Sequence, residues 1–123
     1  MKIALVAAMC NNGRTCPNVN VSDHGTVVIQ GYEVAPQVAD TVFQLGDADG
    51  VVEIPLGLLP NDLVAAETRT HRTERGTLLV VGRRVAETEV LMDAEALTEV
   101  MMPPGEAAVE VAAATKRVAA HVG

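Results

Sequence analysis

Cys10 and Cys16 flank an Asn-Asn-Gly-Arg-Thr segment, and two thiols so placed can close a short disulfide or offer a thiolate pair to a metal. A tetrahedral site would have to recruit histidines such as His24 and His71, and the gap between the cysteines exceeds the roughly two to four residues usual between zinc-binding cysteines. Free thiols are the expectation for a cytosolic chain, with the disulfide as the alternative. Ser22 stands two residues from His24, but it lies in turn chemistry without a Gly-x-Ser-x-Gly elbow, so no nucleophilic dyad is expected. Asp47-Ala48-Asp49-Gly50 begins like a calcium loop. It then places Val51 where an oxygen ligand belongs and Leu58 where the closing glutamate belongs, and so reads as an acidic turn into a strand. No catalytic residue, metal site or cofactor is expected from these patterns.

Two further groups can carry chemistry. Glu53 and Glu110 occupy like positions in the apolar segments Val52-Glu53-Ile54 and Val109-Glu110-Val111, where a cleft between two halves of the chain would bring them near Tyr32 and Glu33. Arg69, His71, Arg72, Arg75, Arg83 and Arg84 form a basic island in a chain of net charge −7. Arginine makes two-pronged contacts with carboxylate or phosphate, which makes this island a candidate partner-binding ribbon. Its alternative is an edge strand kept soluble by charge.

The elements that must position these residues are set by self-similarity. GTVVIQGYEVA from Gly25 returns 51 positions on as GTLLVVGRRVA from Gly76, and the Val-Glu-Ile and Val-Glu-Val segments return 57 positions apart. Ser22-Asp23-His24-Gly25 and Thr73-Glu74-Arg75-Gly76 are turn signals ahead of each copy, which predicts two β-hairpins. Pro36 suits a first helical turn and Gly46 a helix end, Asp93 suits an N-cap, and the segments from 36 to 46 and from 93 to 101 are expected as helices. Short helices are also expected over 59–67 and 111–122. The predicted fold is therefore α+β, with two tandem β-hairpin/helix/strand repeats packed with pseudo-twofold symmetry around a shared aliphatic core. Residues 1–123 are read as one compact domain built from repeats of about 1–62 and 63–123, since neither half alone would bury enough surface.

Composition narrows the functional classes. Hydrophobic residues make up 49% of the chain but aromatic ones only 2%, so the core must be aliphatic and base-stacking platforms for single-stranded nucleic acid are disfavoured. The acidic surplus repels phosphate backbones at long range, although a basic ribbon can still touch them locally. No apolar run reaches the roughly 18–20 residues of a membrane span, and the Met1–Cys10 segment reads as a buried first strand rather than an export signal. A cytoplasmic location and no membrane partner are expected.

Cys16-Pro17-Asn18-Val19, then Ser22-Asp23-His24-Gly25-Thr26 and Gln30-Gly31, resembles short uncharacterised actinobacterial proteins with a C-P-x-V then D-x-G-T-x-x-V-Q-G pattern. That resemblance implies a small accessory protein beside a transcriptional regulator. A looser likeness is to the AbrB and MazE swapped-hairpin fold, which implies DNA binding through basic strands. The first hairpin, with Val19, Asn20 and Val21, lacks the basic residues for that role. The functional expectation is a non-enzymatic regulatory or protein-interaction module with a protein partner, and homodimerisation is allowed. The alternatives are a DNA-binding regulator using the second hairpin, and an enzyme or small-ligand binder with a pocket between the repeats.

Overall fold

The computed structural model describes residues 2–9, 16–86, 91–92 and 105–114. They form the strands β1 (Lys2–Ala8), β2 (Asn18–Ser22), β3 (Thr26–Glu33), β4 (Asp49–Pro55), β5 (Thr70–Arg72), β6 (Thr77–Val85), β7 (Leu91–Met92) and β8 (Glu106–Ala112). The fold is mostly β, so the α+β expectation with a helix in each repeat is overturned. Helical structure among the described residues is one turn, Pro36–Ala39.

The helix expected over 36–46 stops for local reasons. Ala35 supplies no capping side chain, and past Ala39 come Thr41, Val42 and Phe43, whose side chains lose rotamer freedom against a helical turn. The chain tightens instead, with Thr41 N–H reaching Val38 O and Val42 N–H reaching Ala39 O, while the Thr41 hydroxyl donates to Val38 O at 2.6 Å. The segment 59–67 forms turns and an isolated bridge between Val64 and Ala113. Val111 and Ala112 belong to β8, whereas residues 93–101 and 115–122 lie outside the described residues. Among the described residues no helix is long and apolar enough to cross a membrane.

Both predicted hairpins are present, β2 with β3 and β5 with β6. Their turns are built alike. The Ser22 hydroxyl accepts from the backbone N–H of His24 and Thr26, and the Thr73 hydroxyl accepts from Arg75 and Thr77, while Gly25 and Gly76 take φ of 76° and 77°. Such a φ is costly for any residue with a Cβ.

The strands beyond the turns interchange partners. β3 runs along β8 from Thr26↔Ala112 to Tyr32↔Glu106, and β6 runs along β4 from Thr77↔Pro55 to Arg83↔Asp49. Shifting Thr26 by 51 positions gives Thr77, and shifting Pro55 by 57 gives Ala112, so the two ladders share one register. β3 also touches β4 at Tyr32↔Glu53, and β6 touches β8 at Arg83↔Glu110, again in matching register. The four strands β3, β4, β6 and β8 therefore pair cyclically. Gly31 and Gly82 sit where these strands cross. A Cβ on Gly31 would stand 2.6 Å from Glu53 O, and one on Gly82 would stand 2.6 Å from Glu110 O.

Val19, Val21, Val27, Ile29, Val52, Ile54, Leu59, Val80, Val109 and Val111 form the main core, which draws on both hairpins and both following strands. It is aliphatic, as the composition requires. β1 is a strand as expected, but its burial is confined to Ile3, and Leu5, Val6 and Met9 are exposed. Ala8 pairs with Asn18 and Met9 N–H reaches Pro17 O at 2.9 Å, which carries the β1–β2 ladder up to the loop flanked by the cysteines. Cys16 is disulfide-bonded, which corrects the free-thiol expectation at that residue. Cys10 lies outside the described residues.

Candidate binding edge on the second hairpin

Glu53 and Glu110 are half-buried on β4 and β8, and each is held by the threonine that opens the opposite long strand. Thr77 Oγ1 donates to Glu53 at 2.5 Å and Thr26 Oγ1 donates to Glu110 at 2.6 Å. An arginine completes each lock. Arg75 donates to Glu53 at 2.5 Å from the hairpin tip, and Arg83 donates to Glu110 at 2.9 Å from the strand beside it. The Thr77 hydroxyl, assisted by Arg75, holds the Glu53 carboxyl below its ordinary pKa despite burial. Both carboxylates are hydrogen-bonded and committed to the fold. Tyr32 and Glu33 are exposed at the exit of β3, where Tyr32 lies opposite Glu53 and Glu33 lines a small cavity of about 60 Å³ with Arg84. Glu53 and Glu110 thus meet separate threonine and arginine partners on separate strands.

The basic island divides in the same manner. Arg69 forms an ion pair with Asp49 at 2.9 Å and donates to Gln44 O at 2.6 Å. The N–H of Gly46 and the Arg69 guanidinium hold the Asp49 carboxyl below its usual range, so the acidic turn is an anchor for the 44–49 loop. Arg84 donates to Asp47 O. His71 presents its ring edge-on to Phe43, with centroids 6.4 Å apart at 87°. Arg69, Arg75, Arg83 and Arg84 are therefore braced against this chain's own loops and strands. Arg72 differs. Among the described residues it has no ion-pair or hydrogen-bond partner for its side chain.

Arg72 lies on β5, whose three residues are all exposed. Thr73 donates to Thr77 O, and Val81 donates to Arg69 O. Odd-numbered residues therefore face β6, and alternation turns the backbone N–H and C=O of Thr70 and Arg72 to the other side. Among the described residues no strand pairs with that side. Beside it opens a cleft of about 570 Å³, in the size range of ligand and peptide sites, lined by Leu56, Leu59, Val64, Leu78, Thr70 and Arg72. Of the residues singled out in the sequence, Arg72 alone reaches this cleft. The cleft walls were not singled out, because the 59–67 segment reads as a helix by pattern, whereas it forms turns and the Val64–Ala113 bridge.

The first hairpin shows the same edge closed. By the 51-residue shift Val19 corresponds to Thr70 and Val21 to Arg72, and β1 lies antiparallel on that edge with Ala7 opposite Val19 and Ala4 opposite Val21. No family model, curated protein or solved structure matches this chain.

Proposed function

We propose that this protein is a non-enzymatic interaction module that takes an extended segment of a partner protein as an added strand on β5. The observation that supports this reading most is the unequal treatment of equivalent edges: β1 closes the β2 edge in antiparallel register, and the matching donors and acceptors of Thr70 and Arg72 face outward. Strand addition of this kind draws its affinity from main-chain hydrogen bonds and its specificity from neighbouring pockets. The engagement of Glu53 and Glu110 with threonine and arginine speaks against a catalytic cleft. The engagement of Arg69, Arg75, Arg83 and Arg84 speaks against a DNA-reading ribbon, which needs several free cations. Disulfide bonding at Cys16 fits an oxidising compartment better than the reducing cytoplasm that the sequence alone suggests.

Proline at position 70 removes an outward N–H while leaving the β5–β6 bonds in place, since an edge strand accepts proline on its solvent side. A peptide-display selection against wild type and Thr70→Pro tests the proposal. Extended peptides enriched on wild type and lost on the variant, with unchanged circular dichroism, are expected. Peptides retained equally by both, or a failure to enrich any, would overturn it.

A further inference from the structure

We infer that the segment accepted on β5 carries a carboxylate at the position facing Arg72, flanked by small or aliphatic residues. This deepens the strand-addition reading and rests on it.

The internal strand β1 provides the template. Residues directly opposite in an antiparallel pair place their side chains on the same face. On β2, the side chains of Val19 and Val21 are fully buried in the main core, and Ala4 and Ala7 pack against that core. On β5 the corresponding face carries Thr70 and Arg72 above Leu59, Val64 and Leu78. A strand laid on β5 in the register that β1 uses on β2 would set its Ala7 counterpart opposite Thr70 and its Ala4 counterpart opposite Arg72. The first contact is small and hydroxyl-compatible. The second places a side chain beside a guanidinium that has no carboxylate partner among the described residues, at the rim of a cleft whose lining mixes Leu59, Val64 and Leu78 with Asn61 and Thr68.

Charge decides what suits that position. A guanidinium takes one carboxylate in a two-pronged hydrogen-bonded pair, and beside the aliphatic side chains of Leu59, Val64 and Leu78 such a pair is less screened than on open surface. A lysine there would meet like charge at short range. An alanine there would leave Arg72 covered by a strand and without a partner, a loss of solvation with no compensation. The cleft next to it is roomy enough for the aliphatic neighbours of the acid. Partner preference is therefore for a short strand of β1-like composition in which the Ala4 position is Asp or Glu.

Three synthetic peptides spanning residues 2–8 of this chain test the inference: the native sequence, Ala4→Glu and Ala4→Lys, each carrying fluorescein. Anisotropy is measured against wild type and Arg72→Glu, with circular dichroism confirming that the exposed substitution leaves the fold intact. Amide hydrogen exchange at Thr70 and Arg72 reports strand pairing separately. The expected result is at least tenfold tighter binding of the Glu peptide than of the Lys peptide on wild type, with the order inverted on Arg72→Glu and both amides protected. Equal affinities with both amides protected would overturn the carboxylate preference and leave strand addition standing. A Glu-peptide advantage that persists on Arg72→Glu would also overturn it, because another cation would be responsible. If no peptide binds and neither amide is protected, both readings fall.

Discussion

The two hairpins have the same turn chemistry, a glycine at the same crossing and long strands in the same register, yet their first arms meet opposite fates. All five residues of β2 are buried, with Val19 and Val21 in the core and Asn18 and Asn20 at 2% exposure. All three residues of β5 are exposed. The difference lies in the side chains that face the neighbouring edge. Two valines on β2 favour covering by β1, and the asparagines on its other face satisfy themselves, Asn20 donating to Asn18 Oδ1 at 2.6 Å and to Val28 O at 3.2 Å. Threonine and arginine at the corresponding places on β5 keep the edge wet. One scaffold therefore supports a closed edge and an open one, and four side chains select between them.

The largest effect that would break this contrast is Val21→Arg. It buries an unpaired charge between β1 and β3 and is expected to cost about 4 kcal/mol or more, read by urea denaturation. Next come Gly31→Ala and Gly82→Ala, where the new Cβ meets a backbone carbonyl that cannot swing aside. Each is expected to cost on the order of 3 kcal/mol, and similar losses at the two sites would sharpen the register match. Thr26→Val and Thr77→Val each remove one hydroxyl from a half-buried glutamate and should cost about 1 kcal/mol in the same measurement.

Acid titration separates the Glu53 lock and the Asp49 anchor from Glu106. Glu53 and Asp49 have folded-state pKa values below their unfolded ones, so their contribution is present above the ordinary carboxylate range and is lost as pH falls through the folded values. Glu106 has the opposite sign. Burial raises its pKa against the help of Gln30, so its contribution is full below the unfolded value and is lost as pH rises through the folded one. Melting temperatures across the acid range should therefore show a flattened acid limb for Glu53→Gln and a gain at neutral pH for Glu106→Gln. The smallest effect is expected for Arg72→Val, within about 0.5 kcal/mol, because an exposed edge residue without a partner holds nothing in place. A loss well above that would mean that Arg72 serves the fold.

What the sequence discloses follows from the range of the forces involved. Hairpin tips are legible because Ser22 to Gly25 and Thr73 to Gly76 encode their turns within a few residues. The strands bearing Glu53 and Glu110 are legible because aliphatic side chains alternate about a single acid. The end of the helix at Ala39 is legible only in hindsight, in Thr41, Val42 and Phe43. The locks are hidden because Thr26 and Glu110 stand 84 residues apart, and no local pattern announces that a threonine of one hairpin serves a strand of the other half. The basic island misleads for the same reason. Composition counts six basic or ring residues together, and only long-range partners such as Asp49, Glu53 and Glu110 distinguish a brace from a free cation.

The cyclic pairing of β3, β4, β6 and β8 also governs the order in which the molecule can come into being. During synthesis β3 emerges early and meets β4 over two pairs, while the partner that covers its full length, β8, is made more than seventy residues later. Until then Val27 and Ile29 have β2 on one side and lack β8 on the other, so the nascent chain carries an unfinished sheet with exposed aliphatic strands. Closing such long loops is slow because chain entropy is lost before the contacts form. A ribosome-bound chain halted ahead of Glu106 is accordingly the species most in need of a chaperone.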